Sequence, residues 1–339
     1  MGNKKLKITI LGAGTWGLTL GQVFHDRGHK VTFWEFDPKQ AAALAKTRKF
    51  KYLPEVVLPR DIRIDSDLDK AVAGADLAVI AVPSPFVRQT VNKLSKLKLP
   101  KKFIILCVTK GLEETTFMTM SQVLADELPA YLKKNTAFLS GPNIAKEIAL
   151  RKPAATVIAS RNIKLAAFLQ QQLMTTYFRI YTATDVLGTE LGGSVKNVIA
   201  IACGISDGMK LGTNAKSALI TRGIAEMARL GKYFKAKPET FSGLSGLGDL
   251  ITTCYSPFSR NRRCGELIAQ GLTYQQAMKK ICTVVEGIRT CQALYHFSEK
   301  YKISMPINEQ VYQVLLEHKS PRQALMDLMG RQAKPENNL

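Results

Sequence analysis

Short apolar runs alternate with helix-like segments through the first half of the chain. Each run is bounded by polar, glycine or proline residues, and the segments between runs carry apolar residues at helical spacing. The runs predicted as strands are Lys7–Leu11, Val31–Glu35, Asp76–Val82, Phe103–Thr109, Thr136–Ser140, Ala155–Ala159 and Phe178–Thr182. Helices predicted between them include Thr15–Arg27, Phe117–Glu127 and Ile163–Leu173. This alternation favours a parallel, doubly wound sheet.

The pattern changes after about residue 185, where the apolar spacing becomes helical and stays so. The helices predicted there are Asp185–Ser206, Lys216–Leu230, Leu247–Cys254, Tyr274–Ile281, Gly287–Glu299 and Ile307–Glu317. At 339 residues the chain is long enough for two domains. We therefore predict an α/β domain over residues 1–189 followed by an all-helical domain over residues 190–339.

A glycine motif lies directly after the first predicted strand and opens the first predicted helix. It reads Gly12-Ala13-Gly14-Thr15-Trp16-Gly17. In this strand–turn–helix context the glycines permit a tight turn and close backbone approach to a pyrophosphate, whose charge the helix N-terminus stabilises. The first domain is therefore interpreted as a dinucleotide-binding Rossmann domain.

The end of the second predicted strand bears on the choice between NAD and NADP. Glu35 lies about 20 residues past the glycines, where a carboxylate bonds the ribose 2′-hydroxyl and repels a 2′-phosphate. The nearby Asp37 also fits an ordinary helix start. Arg48, Lys49 and Lys51 could approach a 2′-phosphate from a loop, so both cofactors remain open, with the residues favouring NAD.

One lysine stands in an otherwise small and apolar helical segment, Glu190–Asn197. Lys196 shares a helix face with small residues, among them Gly192 and Gly204. We expect a planar ring or a small substrate to lie against this face. There Lys196 could polarise a carbonyl and deliver a proton. The alternative is a lysine that snorkels at a helix edge.

Other polar residues follow predicted strands or glycine turns. Lys110 and Gly141-Pro142-Asn143 follow strand ends, where ligands of doubly wound folds collect. Asp249 and Thr253 share a face of a helix that follows a glycine-rich turn, and a buried Asp249 would need a partner such as a catalytic lysine. Arg260-Asn261-Arg262-Arg263 could grip a phosphate or form a solvated surface.

Composition narrows the class of protein. The net charge of +21 fits a basic surface that attracts anionic cofactors and substrates. Aromatic residues are not interleaved with the basic clusters, which argues against nucleic-acid binding. The six cysteines form no CxxC pair, and the four histidines make no metal pattern. No apolar run is long enough for a membrane span. We expect a reduced, cytoplasmic protein without a metal, without nucleic acid and without stable membrane insertion.

Taken together, several segments resemble the NAD(P)-dependent glycerol-3-phosphate dehydrogenases of the bacterial biosynthetic type. The segments are Gly12–Gly17, Thr109–Gly111, Gly141–Glu147, Glu190–Asn197, Gly246–Tyr255, Arg260–Arg262 and Val284–Gly287. The resemblance covers nearly the whole chain. It implies reduction of dihydroxyacetone phosphate to sn-glycerol 3-phosphate for phospholipid synthesis, and a homodimer. The alternative is another two-domain reductase, of the hydroxyacid or ketopantoate kind.

The resemblance also implies residue roles. Lys196 would be the proton donor and acceptor, Lys110 a contact to substrate and cofactor, and Asp249 would orient Lys196. The substrate ligands would be Lys110, Gly141, Asn143, Lys196, Asn197, Asp249, Thr253, Ser259, Arg260 and Asn261. The cofactor ligands implied by the resemblance are Thr15, Trp16, Lys110, Ala145, Arg260, Val284 and Glu286, and the motif analysis above adds Gly12, Gly14, Gly17 and Glu35. Many members carry glycine and then Arg or His where Glu35 and Phe36 stand here, which makes NADP use less expected.

Overall fold

The computed structural model describes residues 5–50, 52–333 and 335–336. The chain divides into two compact units. Unit 1 comprises residues 1–109 and 120–186, and unit 2 comprises residues 110–119 and 187–339. Unit 2 thus joins the short segment 110–119 to the helical part of the chain, which begins at residue 187.

Unit 1 is built on a sheet of eight strands in its described residues, with a separate two-stranded ribbon. The strands are β1 (Lys7–Leu11), β2 (Lys30–Trp34), β3 (Lys49–Phe50), β4 (Leu53–Val57), β5 (Arg63–Asp65), β6 (Leu77–Ile80), β7 (Ile104–Cys107), β8 (Thr136–Ser140), β9 (Ala154–Ala159) and β10 (Phe178–Ala183). Fully buried apolar side chains such as Ile10, Val79 and Leu106 fill its centre. Burial on both faces is typical of a sheet covered by helices on each side.

The order of strands across the large sheet is β10-β9-β8-β7-β6-β1-β2-β5. Pairing is parallel except between β8 and β9, which run antiparallel. The chain proceeds outward from β1 to β2 and then returns to place β6 on the other side of β1. This reversal is the topological switch point at which open α/β sheets bind ligands.

The helices of unit 1 cover this sheet. They are α1 (Thr15–Asp26), α2 (Pro38–Thr47), α3 (Leu68–Val72), α4 (Val87–Ser95), α5 (Met120–Glu127), α6 (Ala130–Lys133), α7 (Ala145–Ala149) and α8 (Ile163–Leu173). The predicted helix Phe117–Glu127 starts later, at Met120, because Phe117 has a left-handed backbone with φ of +59°. Leu112 and Thr119 form an isolated antiparallel bridge just before that start.

Unit 2 contains no strand in its described residues, apart from that bridge, and its regular elements are helices. Its helices are α9 (Val186–Gly208), α10 (Gly212–Tyr233), α11 (Pro238–Phe241), α12 (Asp249–Tyr255), α13 (Arg260–Ala269), α14 (Tyr274–Ile281), α15 (Glu286–Tyr301), α16 (Pro306–Leu316) and α17 (Pro321–Met329). The predicted α/β fold followed by an all-helical part is thus confirmed.

Helix α9 forms the centre of unit 2. Its residues from Leu191 to Ile205 are buried, and its side chains join the apolar core. By length and composition α9 is apolar enough to cross a membrane, yet 89% of its most apolar window is buried inside the structure. That burial is typical of the core helix of a folded domain. Segment 110–119 packs on the same unit, where Phe117 lies edge-on to Phe297 with ring centroids 5.7 Å apart.

Candidate functional site

The glycine motif of unit 1 lies at the switch point between β1 and β6. Gly12 has φ of +110°, and a Cβ there would lie 3.0 Å from the backbone of Ala81 and Val82. A Cβ on Gly17 would lie 2.2 Å from the carbonyl oxygen of Gly12. These two glycines therefore let the turn pack tightly on the end of β6.

Gly14 differs from the other two glycines because a Cβ there would meet no atom within 4 Å. It is the N-cap residue of α1, and that helix has no side-chain cap. Backbone N–H groups at the start of α1 are thus left for a ligand, and the missing side chain keeps the approach open. A dinucleotide pyrophosphate fits such a helix N-terminus, and Thr15 and Trp16 are the first residues of the helix.

Glu35 follows β2, at the edge of the same motif. Its carboxylate accepts a long hydrogen bond of 3.3 Å from the backbone of Asp37, whose own side chain caps α2. The Arg48 guanidinium donates to the carbonyl oxygen of Ile62 at 2.6 Å, which holds this side chain against protein backbone. Lys51, the third cation considered for a 2′-phosphate, lies outside the described residues.

The segment after β8 holds a polar side chain in a fixed orientation. Asn143 Nδ2 donates to Thr156 Oγ1 at 2.9 Å, and Thr156 Oγ1 donates to the carbonyl oxygen of Ser140 at 2.9 Å. Asn143 Oδ1 is buried without a hydrogen-bond partner. Gly141 has φ of +153°, and a Cβ there would lie 2.9 Å from Thr156 Cα. Asn143 therefore offers an acceptor, just before α7 begins at Ala145.

Unit 2 contains a buried cluster of two lysines around one aspartate. Asp249, whose side chain is 1% exposed, bonds Lys110 Nζ at 2.5 Å through one oxygen and Lys196 Nζ through the other. Lys196 also donates to Thr253 Oγ1 at 2.8 Å. Asp249 and Thr253 lie one turn apart at the start of α12. Two ammonium groups thus share one carboxylate, and the charge of Glu286 also attracts Lys196.

Burial changes the acidity of Lys196. Desolvation of its ammonium lowers the pKa from the ordinary 10.5 to about 8, while attraction to Asp249 opposes that fall and Lys110 adds to it. A group with such a pKa is an ammonium at neutral pH and can still give up its proton at small cost. Lys196 is therefore suited to act as a general acid.

A chain of amides lies beside Lys196. Asn261 Nδ2 donates to Asn197 Oδ1 at 2.9 Å, and the backbone N–H of Gly287 donates to Asn261 Oδ1 at 2.9 Å. Asn197 Nδ2 is buried and has no hydrogen-bond partner. This leaves one oriented donor next to the lysine. Gly287, which fixes Asn261, ends the segment Val284–Gly287 that carries part of the resemblance, but the sequence assigned it no role in the site.

The basic run at the start of α13 serves two purposes. Ser259 caps the helix by accepting from the backbone of Arg262, and the side chain of Arg260 is exposed at the first turn. Arg262 instead pairs with Asp207 at 2.6 Å. Asp207 also pairs with Lys216 at 2.7 Å, and neither residue was expected from the sequence. Only part of the run is therefore free for an anion.

The small residues of α9 do not form a ligand surface, contrary to our expectation. A Cβ on Gly192 would lie 2.5 Å from the carbonyl oxygen of Ser245, and one on Gly204 would lie 1.9 Å from that of Arg262. Both glycines thus permit close packing of α9 against neighbouring backbone. The prediction of a small-residue face for a planar ring was wrong, because spacing alone does not show what a helix face contacts.

Two models of one protein family match successive parts of this chain. Residues 7–166 match the family model of the NAD-dependent glycerol-3-phosphate dehydrogenase N-terminus, and residues 185–326 match that of the C-terminus. A glycerol-3-phosphate dehydrogenase (NAD(P)+) of Bacillus pumilus strain SAFR-032 is 43% identical over 326 residues, covering 96% of this chain and 94% of that protein.

Solved structures agree with these matches. The crystal structure of glycerol-3-phosphate dehydrogenase from Coxiella burnetii is similar with a TM-score of 0.91 at 37% identity, covering 96% of this chain and 99% of that one. A ketopantoate reductase from Ralstonia eutropha JMP134 is similar with a TM-score of 0.57 at 17% identity, covering 94% of this chain and all of that one. The second likeness is one of fold alone.

Proposed function

This chain belongs to the NAD-dependent glycerol-3-phosphate dehydrogenase family, and we propose that it reduces dihydroxyacetone phosphate to sn-glycerol 3-phosphate. The cofactor is NAD or NADP. The observation that carries the proposal is the buried Lys110–Asp249–Lys196 cluster in a chain that matches the family over both parts of its length. The alternative activity of the ketopantoate reductases rests on a likeness of fold at 17% identity, which does not support assigning that activity to this chain.

Lys196 is assigned as the general acid. The chemistry that a bound reduced nicotinamide supplies is hydride transfer to the C2 carbonyl carbon of the substrate. The carbonyl oxygen then needs a proton, and the ammonium of Lys196 gives it up and becomes an amine. In the reverse direction the same amine takes the proton from the C2 hydroxyl. A pKa of about 8 lets Lys196 serve both directions near neutral pH.

Asp249 and Lys110 support this step in different ways. Asp249 holds the Lys196 ammonium in place and keeps it protonated, because a buried ammonium without a carboxylate would lose its proton. Lys110 shares that carboxylate and adds a second positive charge for an anionic substrate and cofactor. Thr253 fixes Lys196 from its other side, at 2.8 Å.

The remaining substrate ligands are proposed from the sequence motifs and their local geometry. Arg260, exposed at the start of α13, supplies a cation for the substrate phosphate, and Ser259 and Asn261 flank it. Asn197 offers a buried free donor beside Lys196. The polar groups after β8 have a suitable form as well, since Gly141 is left-handed and Asn143 presents a free acceptor.

The cofactor ligands are proposed in the same way, and NAD is proposed as the preferred form. Gly12, Gly14 and Gly17 shape the turn, and the start of α1 at Thr15 and Trp16 receives the pyrophosphate. The Glu35 carboxylate suits the ribose 2′-hydroxyl and repels a 2′-phosphate. Further proposed contacts are Ala145, Arg260 and Glu286, which begin helices, Val284, which lies just before α15, and Lys110, which follows β7.

We also propose a cytoplasmic homodimer that supplies glycerophospholipid synthesis. The support for a reducing compartment is that Cys203, Cys254, Cys264 and Cys291 are buried free thiols. Support for the dimer is the family resemblance, and sedimentation velocity of the purified protein would test it. A monomer at micromolar concentration would contradict this part of the proposal.

The activity is tested with purified protein by following NADH or NADPH oxidation. Dihydroxyacetone phosphate should support turnover, whereas unphosphorylated dihydroxyacetone and ketopantoate should not. Lys196→Ala should abolish turnover while NADH still binds. Lys216→Ala is the matched control, because both lysines are 7% exposed and paired with an aspartate in unit 2. Nucleotide binding without oxidation by the phosphorylated triose would refute the substrate assignment.

A further inference from the structure

Unit 2 contains a cavity that the proposed reaction does not use. Its volume is about 380 Å³, and it lies among helices α9, α10, α16 and α17. Most of its lining is aliphatic, including Ala202, Ile205, Leu219 and Val311. None of the residues assigned to cofactor, substrate or proton transfer lines it. The volume falls in the range of small-molecule sites.

The lining of the cavity also contains charged side chains, and most of them are positive. Three arginines line it, Arg222, Arg229 and Arg331, against a single carboxylate, Glu226. Glu226 accepts from the backbone N–H groups of Ile307 and Asn308 at the start of α16, and its charge attracts Arg229, which leaves two further arginines without a carboxylate in the lining. The lining therefore keeps an excess of positive charge.

Two buried donors in the lining lack hydrogen-bond partners. Arg229 uses its Nε to bond the carbonyl oxygen of Ser304 at 2.8 Å, while its Nη1 is buried and unpaired. Ser206 is 2% exposed, and its hydroxyl is likewise unpaired. A buried guanidinium donor without an acceptor is costly, which makes an anionic acceptor at this position favourable.

We propose that this cavity binds an amphipathic anion with an unbranched hydrocarbon chain, such as an alkyl carboxylate. The carboxylate pairs with Arg229 and Arg222, and the chain lies against the aliphatic walls from α9, α10 and α16. A small hydrophilic anion would leave those walls exposed to water. A neutral chain would leave the Arg229 donor without an acceptor. Only a molecule with both parts satisfies the whole lining.

The test is calorimetric titration of the purified protein with hexanoate, octanoate and decanoate, each below its micelle concentration. Affinity should rise about threefold to fourfold for each methylene that enters the cavity, because each buried methylene contributes about 0.8 kcal/mol. Decanol should bind at least about tenfold more weakly than decanoate, since it has no charge for the arginines. Equal binding of all three acids would overturn the proposal.

Variants at one position separate filling of the cavity from loss of a polar group. Ser206→Leu places extra atoms into the cavity and should abolish decanoate binding, whereas Ser206→Ala removes only the hydroxyl and should retain it. Thermal melting in both variants verifies that each is folded. If Ser206→Leu binds decanoate as the wild type does, the anion lies elsewhere and the proposal fails.

Charge variants test the other half of the site. Arg229→Gln and Arg222→Gln should each weaken decanoate binding at least about tenfold, and Lys232→Gln, on the same helix but outside the cavity, should not. Arg222→Gln leaves the Arg229–Ser304 contact intact, so it remains informative if Arg229→Gln is unstable. If the wild type does not bind decanoate and Ser206→Leu converts a dimer to a monomer, the proposal fails and this cavity is an interface between two copies of the chain.

Discussion

Replacement of Asp249 by asparagine should reveal whether the buried carboxylate keeps Lys196 protonated. The two side chains have nearly the same shape, so the substitution preserves packing while it removes the negative charge. In the wild type Asp249 is 1% exposed and bonds both Lys110 and Lys196. After the substitution, two ammonium groups would face a neutral amide in a buried site. We expect the pKa of Lys196 to fall further.

The magnitude follows from the wild-type values. With a pKa of about 8, the ammonium form of Lys196 is favoured over the amine by roughly 1.4 kcal/mol at about pH 7. A carboxylate charge about 4 Å away contributes about 4 kcal/mol at the effective dielectric of a protein site. The lost attraction exceeds the existing preference, so the amine should predominate in the variant. Only about one molecule in a hundred would then carry the proton at about pH 7.

The assay is the pH dependence of kcat for dihydroxyacetone phosphate reduction at saturating NADH. In the wild type kcat should be level at low pH and fall as the pH rises through about 8. In Asp249→Asn it should be about a hundredfold lower at about pH 7 and recover about tenfold for each pH unit of acidification. The difference between the two proteins should therefore narrow to a few-fold by about pH 5.

A structural role for Asp249 gives a different result. Loss of local order would lower kcat by the same factor at every pH, without the recovery in acid. NADH should still bind at the glycine motif of unit 1, and a cooperative thermal melt shows that the variant is folded. Asp327→Asn, which removes a carboxylate paired with Lys319 at the surface, is the control and should leave the profile unaltered. A ratio of rates that stays constant with pH would refute the reasoning.

Three further predictions concern other parts of the molecule. Gly14→Ala should weaken NADH binding at least about tenfold without loss of stability, because its methyl group enters open space beside the helix N-terminus. Gly17→Ala should instead cost about 1–3 kcal/mol of folding free energy, because its methyl group meets protein backbone. Equal melting temperatures of the two variants would contradict this difference. Glu35→Ala should raise the kcat/KM ratio of NADPH to NADH about tenfold or more, whereas Asp37→Ala should cost about 1 kcal/mol of stability through its lost helix cap and leave the ratio unchanged. Burial raises the pKa of Glu226 from 4.5 to about 7, so the free energy of unfolding that this group contributes is complete below the ordinary glutamate range and is lost as the pH rises through about 7. Denaturant titrations of the wild type should show this decline, and Glu226→Gln should remove about 3 kcal/mol of it between about pH 5 and pH 8. An unchanged pH dependence of the unfolding free energy would exclude Glu226 as its source.

The alternation of apolar runs was sufficient to predict most of the fold. Each predicted strand from Lys7–Leu11 to Phe178–Thr182 has a counterpart in the structure, because a buried parallel strand leaves a continuous apolar run in the sequence. The edge strand Arg63–Asp65 was not predicted, since three polar-flanked residues carry no periodicity. The antiparallel pairing of β8 and β9 was also not predicted, because strand direction depends on the path of the connecting chain.

The candidate site was predictable as a set of residues but not as an arrangement. The motifs named Lys110, Lys196 and Asp249, yet nothing in the sequence showed that one carboxylate bonds both lysines, across separations of 139 and 53 residues. Segment 110–119 follows a strand end, which indicated membership in the sheet domain. Its packing with unit 2 depends on contacts such as that between Gly111 and Ser194, and sequence periodicity does not encode them.

Glycine offered the least certain guidance, because the same residue serves opposite purposes in this chain. Gly14 faces open space beside a helix N-terminus, where a ligand can approach. A Cβ on Gly246 would instead lie 2.2 Å from the carbonyl oxygen of Phe241, so that glycine packs a turn against protein backbone. The turn ends where α12 begins, at Asp249. Its glycines therefore act on the chemistry by placing a carboxylate rather than by holding an anion, and only the identity of the neighbouring atoms distinguishes these two uses.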